Sequence, residues 1–130
     1  EYHEWQGTRD LAAFLSVPAA IDFQREQDWD HVRARCRGLV RDLQQEVSAL
    51  TGIPPICSNP EEWLGQMVAL PLPAGVDAAA LKDRLYDEYR IEIPYTQFDG
   101  QSFLRLSVQG YNTEAELAYF VKTLKQILKL

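Results

Sequence analysis

Residues 103–117, FLRLSVQGYNTEAEL, change their period part-way, and that change constrains the fold more than any other stretch. Up to Val108 the pattern alternates: Leu104, Leu106 and Val108 share one face of an extended segment, while Phe103, Arg105 and Ser107 share the other. After Thr113 the spacing becomes helical, with Leu117, Phe120, Val121, Leu124, Ile127 and Leu128 on one stripe. Thr113 followed by Glu116 is a capping box, in which each side chain satisfies a helix N–H left unpaired by the turn. A helix is therefore predicted from about Glu114 almost to the C-terminus.

The remaining elements have weaker but consistent signals. Asp10 can cap a short helix through LAAFLS, and Pro18 suits the first turn of a second helix, AAIDFQRE, with an open question of whether the two are continuous. Asp28 or Asp30 can cap the next helix, whose stripe Val32, Cys36, Leu39, Leu43, Val47 and Leu50 ends at Thr51–Gly52. IPPIC carries too much proline for a central strand, and SNPEEWLG reads as a loop or short turn. QMVALPLP is a strand closed by Pro71 and Pro73, and Asp77 starts a helix to about Tyr89. IEIPYTQF and SFLRLSVQ form two strands joined by the turn dipeptide Asp99–Gly100. The fold class that buries all these stripes is α+β: a small, mainly antiparallel sheet with helices packed on one face. The other face stays open, and Phe103, Arg105 and Ser107 are expected to point to it.

Length and charge narrow the function. A chain of 130 residues is expected to form a single domain, 1–130. A net charge of −6 argues against a nucleic-acid binder, which needs an excess of cations on one surface. The basic cluster Arg33, Arg35, Arg37 and Arg41 is expected to be a solvated helix face. No apolar run reaches the roughly 20 residues of a membrane span, so a soluble, cytoplasmic chain without membrane contact is expected. Cys36 and Cys57 have no CxxC spacing and no histidine pair nearby, which argues against a metal site, and Cys36 falls on its helix's apolar stripe. His3 and His31 lack a nearby Ser or Cys partner for a triad.

Two stretches have chemistry available. In Trp5-Gln6-Gly7-Thr8-Arg9-Asp10, a glycine allows close backbone approach and a threonine hydroxyl precedes a helix, a combination that binds phosphate or simply caps the helix. Arg105 offers a planar fork that holds a carboxylate by two parallel hydrogen bonds, and it equally suits an ordinary surface position.

Taken together and in order, WQGTRD, PAAIDF, the Gln66–Met67 strand, IEIP and LRLSVQGYNT resemble the C-terminal small domain of class V aminotransferase-type, fold-type I enzymes that use pyridoxal phosphate. Within that group the opening most resembles the isopenicillin N epimerase-like branch. The resemblance implies that Gly7 and Thr8 reach the cofactor phosphate of the neighbouring subunit in a homodimer, and that Arg105 holds the substrate α-carboxylate. It implies a structural role for Asn112 and Thr113. Arg9 and Asp10 match the branch pattern with no catalytic duty attached.

The family's cofactor domain, with its Schiff-base lysine, has no counterpart in these residues. Lys82, Lys122, Lys125 and Lys129 fall on helices with apolar stripes and are expected to be solvated. The expectation is a C-terminal fragment of a longer enzyme, inactive and without bound cofactor on its own. The intact enzyme would act at Cα of an amino-acid substrate, by epimerisation or, as a cysteine desulfurase or C–S lyase does, by loss of a β-substituent. A non-catalytic binding module that uses the open sheet face is the alternative outside enzymology.

Overall fold

The computed structural model describes Gly7, Thr8, residues 10–57 and residues 59–130. The chain divides into two compact units, residues 1–32 and 33–130. In the first unit, α1 (Ala12–Leu15) and α2 (Val17–Glu26) are separated only at Ser16. Ser16 keeps right-handed helical dihedrals, its N–H donates to the Ala12 carbonyl and its hydroxyl to that of Ala13, so the helical path continues with a one-residue break ahead of Pro18. The Asp10 carboxylate accepts from the Ala12 N–H at 2.9 Å, as an Asx turn that starts α1. The rings of Phe23 and Trp29 lie 5.9 Å apart at a tilt. Neither α1 nor α2 contains a buried residue.

Helix α3 (Trp29–Thr51) carries into the second unit, where Cys36, Val40, Leu43, Gln44 and Val47 are buried. Cys36, Leu43 and Val47 of the expected stripe are buried, but Val40 is buried in place of Leu39, which is half-exposed. A short turn, α4 (Pro60–Trp63), leads to strand β1 (Met67–Pro71). Helix α5 (Ala78–Tyr89) follows, and the Asp77 carboxylate accepts from the N–H groups of Ala79 and Ala80 at 3.0 Å each, the reason the helix starts there.

Strands β2 (Tyr95–Phe98) and β3 (Gln101–Ser107) form a hairpin. Its turn has positive φ at both central residues, Asp99 at 49° and Gly100 at 74°, as a tight two-residue connection between twisted strands requires. The IEIP segment stays outside β2 because Pro94 has no N–H to pair, yet its carbonyl still accepts from the Arg105 N–H at 2.9 Å. The sheet order is β1-β3-β2, all antiparallel. Helix α6 (Glu114–Leu128) closes the chain with the expected capping box, in which Thr113 and Glu116 bond each other's backbone.

Register fixes the two faces. Leu104 stands opposite Leu70 and Leu106 opposite Val68, and all four are buried. With Leu81, Leu85, Phe120, Val121, Leu124 and the α3 stripe they supply the core of the second unit, α3, α5 and α6 lying on that one side of the sheet. On the other face Arg105 stands opposite Ala69 and Ser107 opposite Met67; Arg105, Ser107 and Met67 are exposed. Phe103 departs from the expected pattern: it shares the open face yet is only 8% exposed. It lies on the central strand between Pro71 of β1 and Thr96 of β2.

No helix among the described residues is long and apolar enough to cross a membrane.

Candidate functional site

Arg105 is placed by the middle of β3, with Ala69 on one side and the Pro94 carbonyl on the other. A small residue opposite leaves the guanidinium room, and the backbone beneath it is held by the ladder. It lines a cleft of about 370 Å³, within the range of small-molecule sites. The polar residues in the wall are Arg90, Glu92, Arg105, Ser107, Asn112, Glu116 and Tyr119. They come from the end of α5, the segment before β2, the central strand and the start of α6.

The arrangement is stiffened from below. Asn112 accepts from the Gln109 N–H at 2.9 Å through its side chain, and its own backbone carbonyl accepts from the Arg35 guanidinium at 3.0 Å. Gln66 clasps the end of β3: its amide donates to the Val108 carbonyl and the Gln109 side chain at 3.0 Å each, and the Val108 N–H donates back to its backbone at 2.8 Å. Glu116 takes a hydrogen bond from the Thr113 N–H at 2.7 Å, and that bond, followed by the Thr113 hydroxyl, holds its carboxyl below the usual carboxylate range. Glu116 is therefore committed to the helix end, whereas the side chain of Arg105 makes no hydrogen bond or ion pair with any described residue. A free guanidinium in a cleft is suited to an incoming carboxylate.

The residues expected from sequence fall as follows. Arg105, Ser107 and Asn112 are brought together in the cleft wall, with Phe103 packed away. Thr113 serves the α6 cap. Gly7 and Thr8 are exposed; Gly7 has φ 64° with open space where a Cβ would be, and neither residue bonds to another described residue. Thr8 does not cap α1, whose N-cap is Leu11, and a four-residue helix offers Thr8 little dipole. Trp5, Gln6, Arg9 and His3 lie outside the described residues.

The basic cluster is more engaged than a free solvated face. Arg35 holds the Asn112 carbonyl, and Arg41 pairs with Asp42 at 3.1 Å and Glu61 at 3.5 Å. Sequence reasoning missed Arg90, although the predicted helix end at Tyr89 already placed it at the cap. Lys82 pairs with Asp83 at 3.1 Å, and no lysine lines the cleft.

For pyridoxal phosphate, the residues present fit part of the group. An exposed threonine hydroxyl beside an open glycine backbone, neither bonded to another described residue, suits a phosphate, and separately the Arg105 guanidinium suits a carboxylate. No residue in the cleft wall can form a Schiff base.

No protein-family model matches the chain. It is 37% identical over 126 residues to isopenicillin N epimerase of Amycolatopsis lactamdurans, covering 97% of this chain and 32% of that one. It is 36% identical over 114 residues to isopenicillin N epimerase of Streptomyces clavuligerus, covering 88% and 29% respectively. A putative L-cysteine desulfhydrase of Oryza sativa subsp. japonica is 29% identical over 98 residues, covering 69% of this chain and 20% of that one. Among solved structures, the 8-amino-7-oxononanoate synthase of Francisella tularensis superposes with a TM-score of 0.59 at 19% identity, over 85% of this chain and 32% of that one. The chain thus spans about a third of the length of the epimerases it matches. By sequence it belongs to the isopenicillin N epimerase-like branch of the class V aminotransferase-type, fold-type I pyridoxal-phosphate enzymes, with the fold of their C-terminal small domain.

Proposed function

We propose that this chain supplies the substrate-carboxylate anchor, Arg105, and a phosphate contact, Gly7–Thr8, to a pyridoxal-phosphate-dependent enzyme that epimerises an amino-acid substrate at Cα. The observation that carries the reading is the uncommitted Arg105 guanidinium in the wall of a ligand-sized cleft, on a strand held rigid from both sides. When bound, the cofactor supplies an electron sink for the carbanion left at Cα. Arg105 fixes the substrate by its carboxylate and so selects which Cα bond is aligned for cleavage. Asn112 and Gln66 hold the end of β3, and with it the direction of the fork. In a homodimer, Thr8 and the Gly7 N–H would reach the phosphate of the cofactor in the partner subunit, which leaves the Schiff-base lysine and proton-transfer groups to residues beyond this chain.

Likeness to a cysteine desulfhydrase supports a second reading, loss of a sulfur substituent from Cβ. Both reactions begin by breaking a bond at Cα and share the same anchor. The intact enzyme is assayed for Cα inversion in deuterated water and for sulfide release. Deuterium uptake with inversion supports epimerisation, and sulfide release without it transfers the chain to the second reading. Arg105→Ala lowers kcat/KM in either case by about 3 kcal/mol, roughly a hundredfold, and an unchanged value removes Arg105 from the site.

A further inference from the structure

We infer that the groove between α3 and α6 is a docking surface for a partner protein, which lays a basic amphipathic helix into it.

Both helices turn apolar stripes to the core, yet Leu39 of α3 and Leu117 of α6 stay half-exposed. They line one hollow of about 330 Å³, together with the buried Leu43 and the exposed Ala118. Asp42, Glu46 and Glu114 complete the lining, and no lysine or arginine among the described residues joins them.

This arrangement works against the helix that carries it. On α3, Leu39 and Leu43 form one row and Asp42 and Glu46 the next, each with i, i+4 spacing. Like charges at that spacing destabilise a helix. Arg41 offsets Asp42 at 3.1 Å, but the side chains of Glu46 and Glu114 bond to no described residue. An apolar strip therefore lies beside uncompensated negative charge.

Charge complementarity decides what covers it. Carboxylates repel nucleic acid and anionic lipid surfaces. The chain's own net charge of −6 works against a second copy. Glu46, Glu114 and Ala118 are exposed, so the hollow is open and a small ligand would keep much of its surface in water. Another helix has side-chain rows of the same spacing, about 6 Å from i to i+4, and packs them into a groove between two others. Leucines in one row cover Leu39 and Leu117. Lysine or arginine in the next row reaches Glu46 and Glu114, with the aliphatic stem lying over apolar surface.

Fluorescence anisotropy of the intact enzyme with a labelled helical peptide of about 18 residues tests the inference at low salt, the peptide carrying leucine on one face and lysine along its flanks. Wild type should bind it, and the double variant Glu46→Gln with Glu114→Gln should weaken binding about fivefold to tenfold, the scale of two rim ion pairs. Ala118→Arg puts a cation and bulk into the hollow from an exposed helix position, and should weaken binding at least as far. Glu26→Gln with Asp87→Asn makes an equal change of charge at other exposed helix positions, and should alter binding less than about twofold. No binding by wild type, an equal loss in that second pair, or binding that survives both groove variants overturns the inference. Equal affinity for a peptide whose leucines are replaced by serine also overturns it, because charge alone would then account for binding. Displacement of the peptide by an equal concentration of cadaverine does the same, by making the hollow a site for small cations.

Discussion

The Arg35 guanidinium donates a 3.0 Å hydrogen bond to the backbone carbonyl of Asn112, joining α3 to the turn that ends β3 across 77 residues of sequence. The same turn is held by the Asn112 side chain on the Gln109 N–H. Arg35→Ala removes the first tie and leaves the second. Because the bond is exposed, the expected loss is about 0.5–1 kcal/mol in urea unfolding, with Arg35→Lys intermediate. An unfolding midpoint unmoved in both variants would show that the Gln109–Asn112 bond holds the turn alone.

At the other end of β3, the turn residue Gly100 has φ 74° with nothing near its missing Cβ. Gly100→Ala therefore clashes with no neighbour, and its cost is purely the left-handed backbone, about 1 kcal/mol. Chemical denaturation should show this shift without a change in denaturant slope. Equal stability of the two proteins would mean that the hairpin takes another turn type once alanine is introduced.

Local signals explain how much of this fold could be read in advance. Asp77, Asp99–Gly100 and the Thr113–Glu116 pair act on residues within a few positions, so the ends of α5, the hairpin and α6 were legible. Alternation likewise placed Arg105 and Ser107 on the open face. Phe103 takes its expected face yet is buried, because period two assigns a face and not a depth. The tie of Arg35, read only as part of a solvated face, and the place of Arg90 were not legible because their turn and cleft exist only once α3, α5 and α6 are set around β3. The ordered motifs were what connected Arg105 to a carboxylate, since its own environment in sequence suited a surface residue equally.

Adjacent residues of β3 should separate stability from binding. Leu104 is fully buried opposite Leu70, and Leu104→Ala should cost about 2–5 kcal/mol, the usual range for a truncated core leucine. Arg105→Ala removes an exposed side chain that bonds to no described residue, and it should leave the melting temperature within about 2 °C of wild type, as surface substitutions do. Thermal melts of the two variants test this pairing. Strong destabilisation by Arg105→Ala would make the arginine a structural residue and weaken its assignment to substrate.

Acid should loosen α6 through Glu116. The Thr113 N–H and hydroxyl bind its charged form, so its folded-state pKa lies below the unfolded value. A depressed carboxylate pKa contributes stability that is fully present above the unfolded pKa. That contribution is lost as pH falls through the folded one. Glu116→Gln keeps a side chain able to accept from the Thr113 N–H but has no proton to gain in this range. The stability gap between wild type and Glu116→Gln should thus be constant at neutral pH and shrink as pH falls below the ordinary glutamate range. Urea titrations across that acid window measure it. A gap that is independent of pH would show that the carboxylate charge adds nothing to the capping box beyond its geometry.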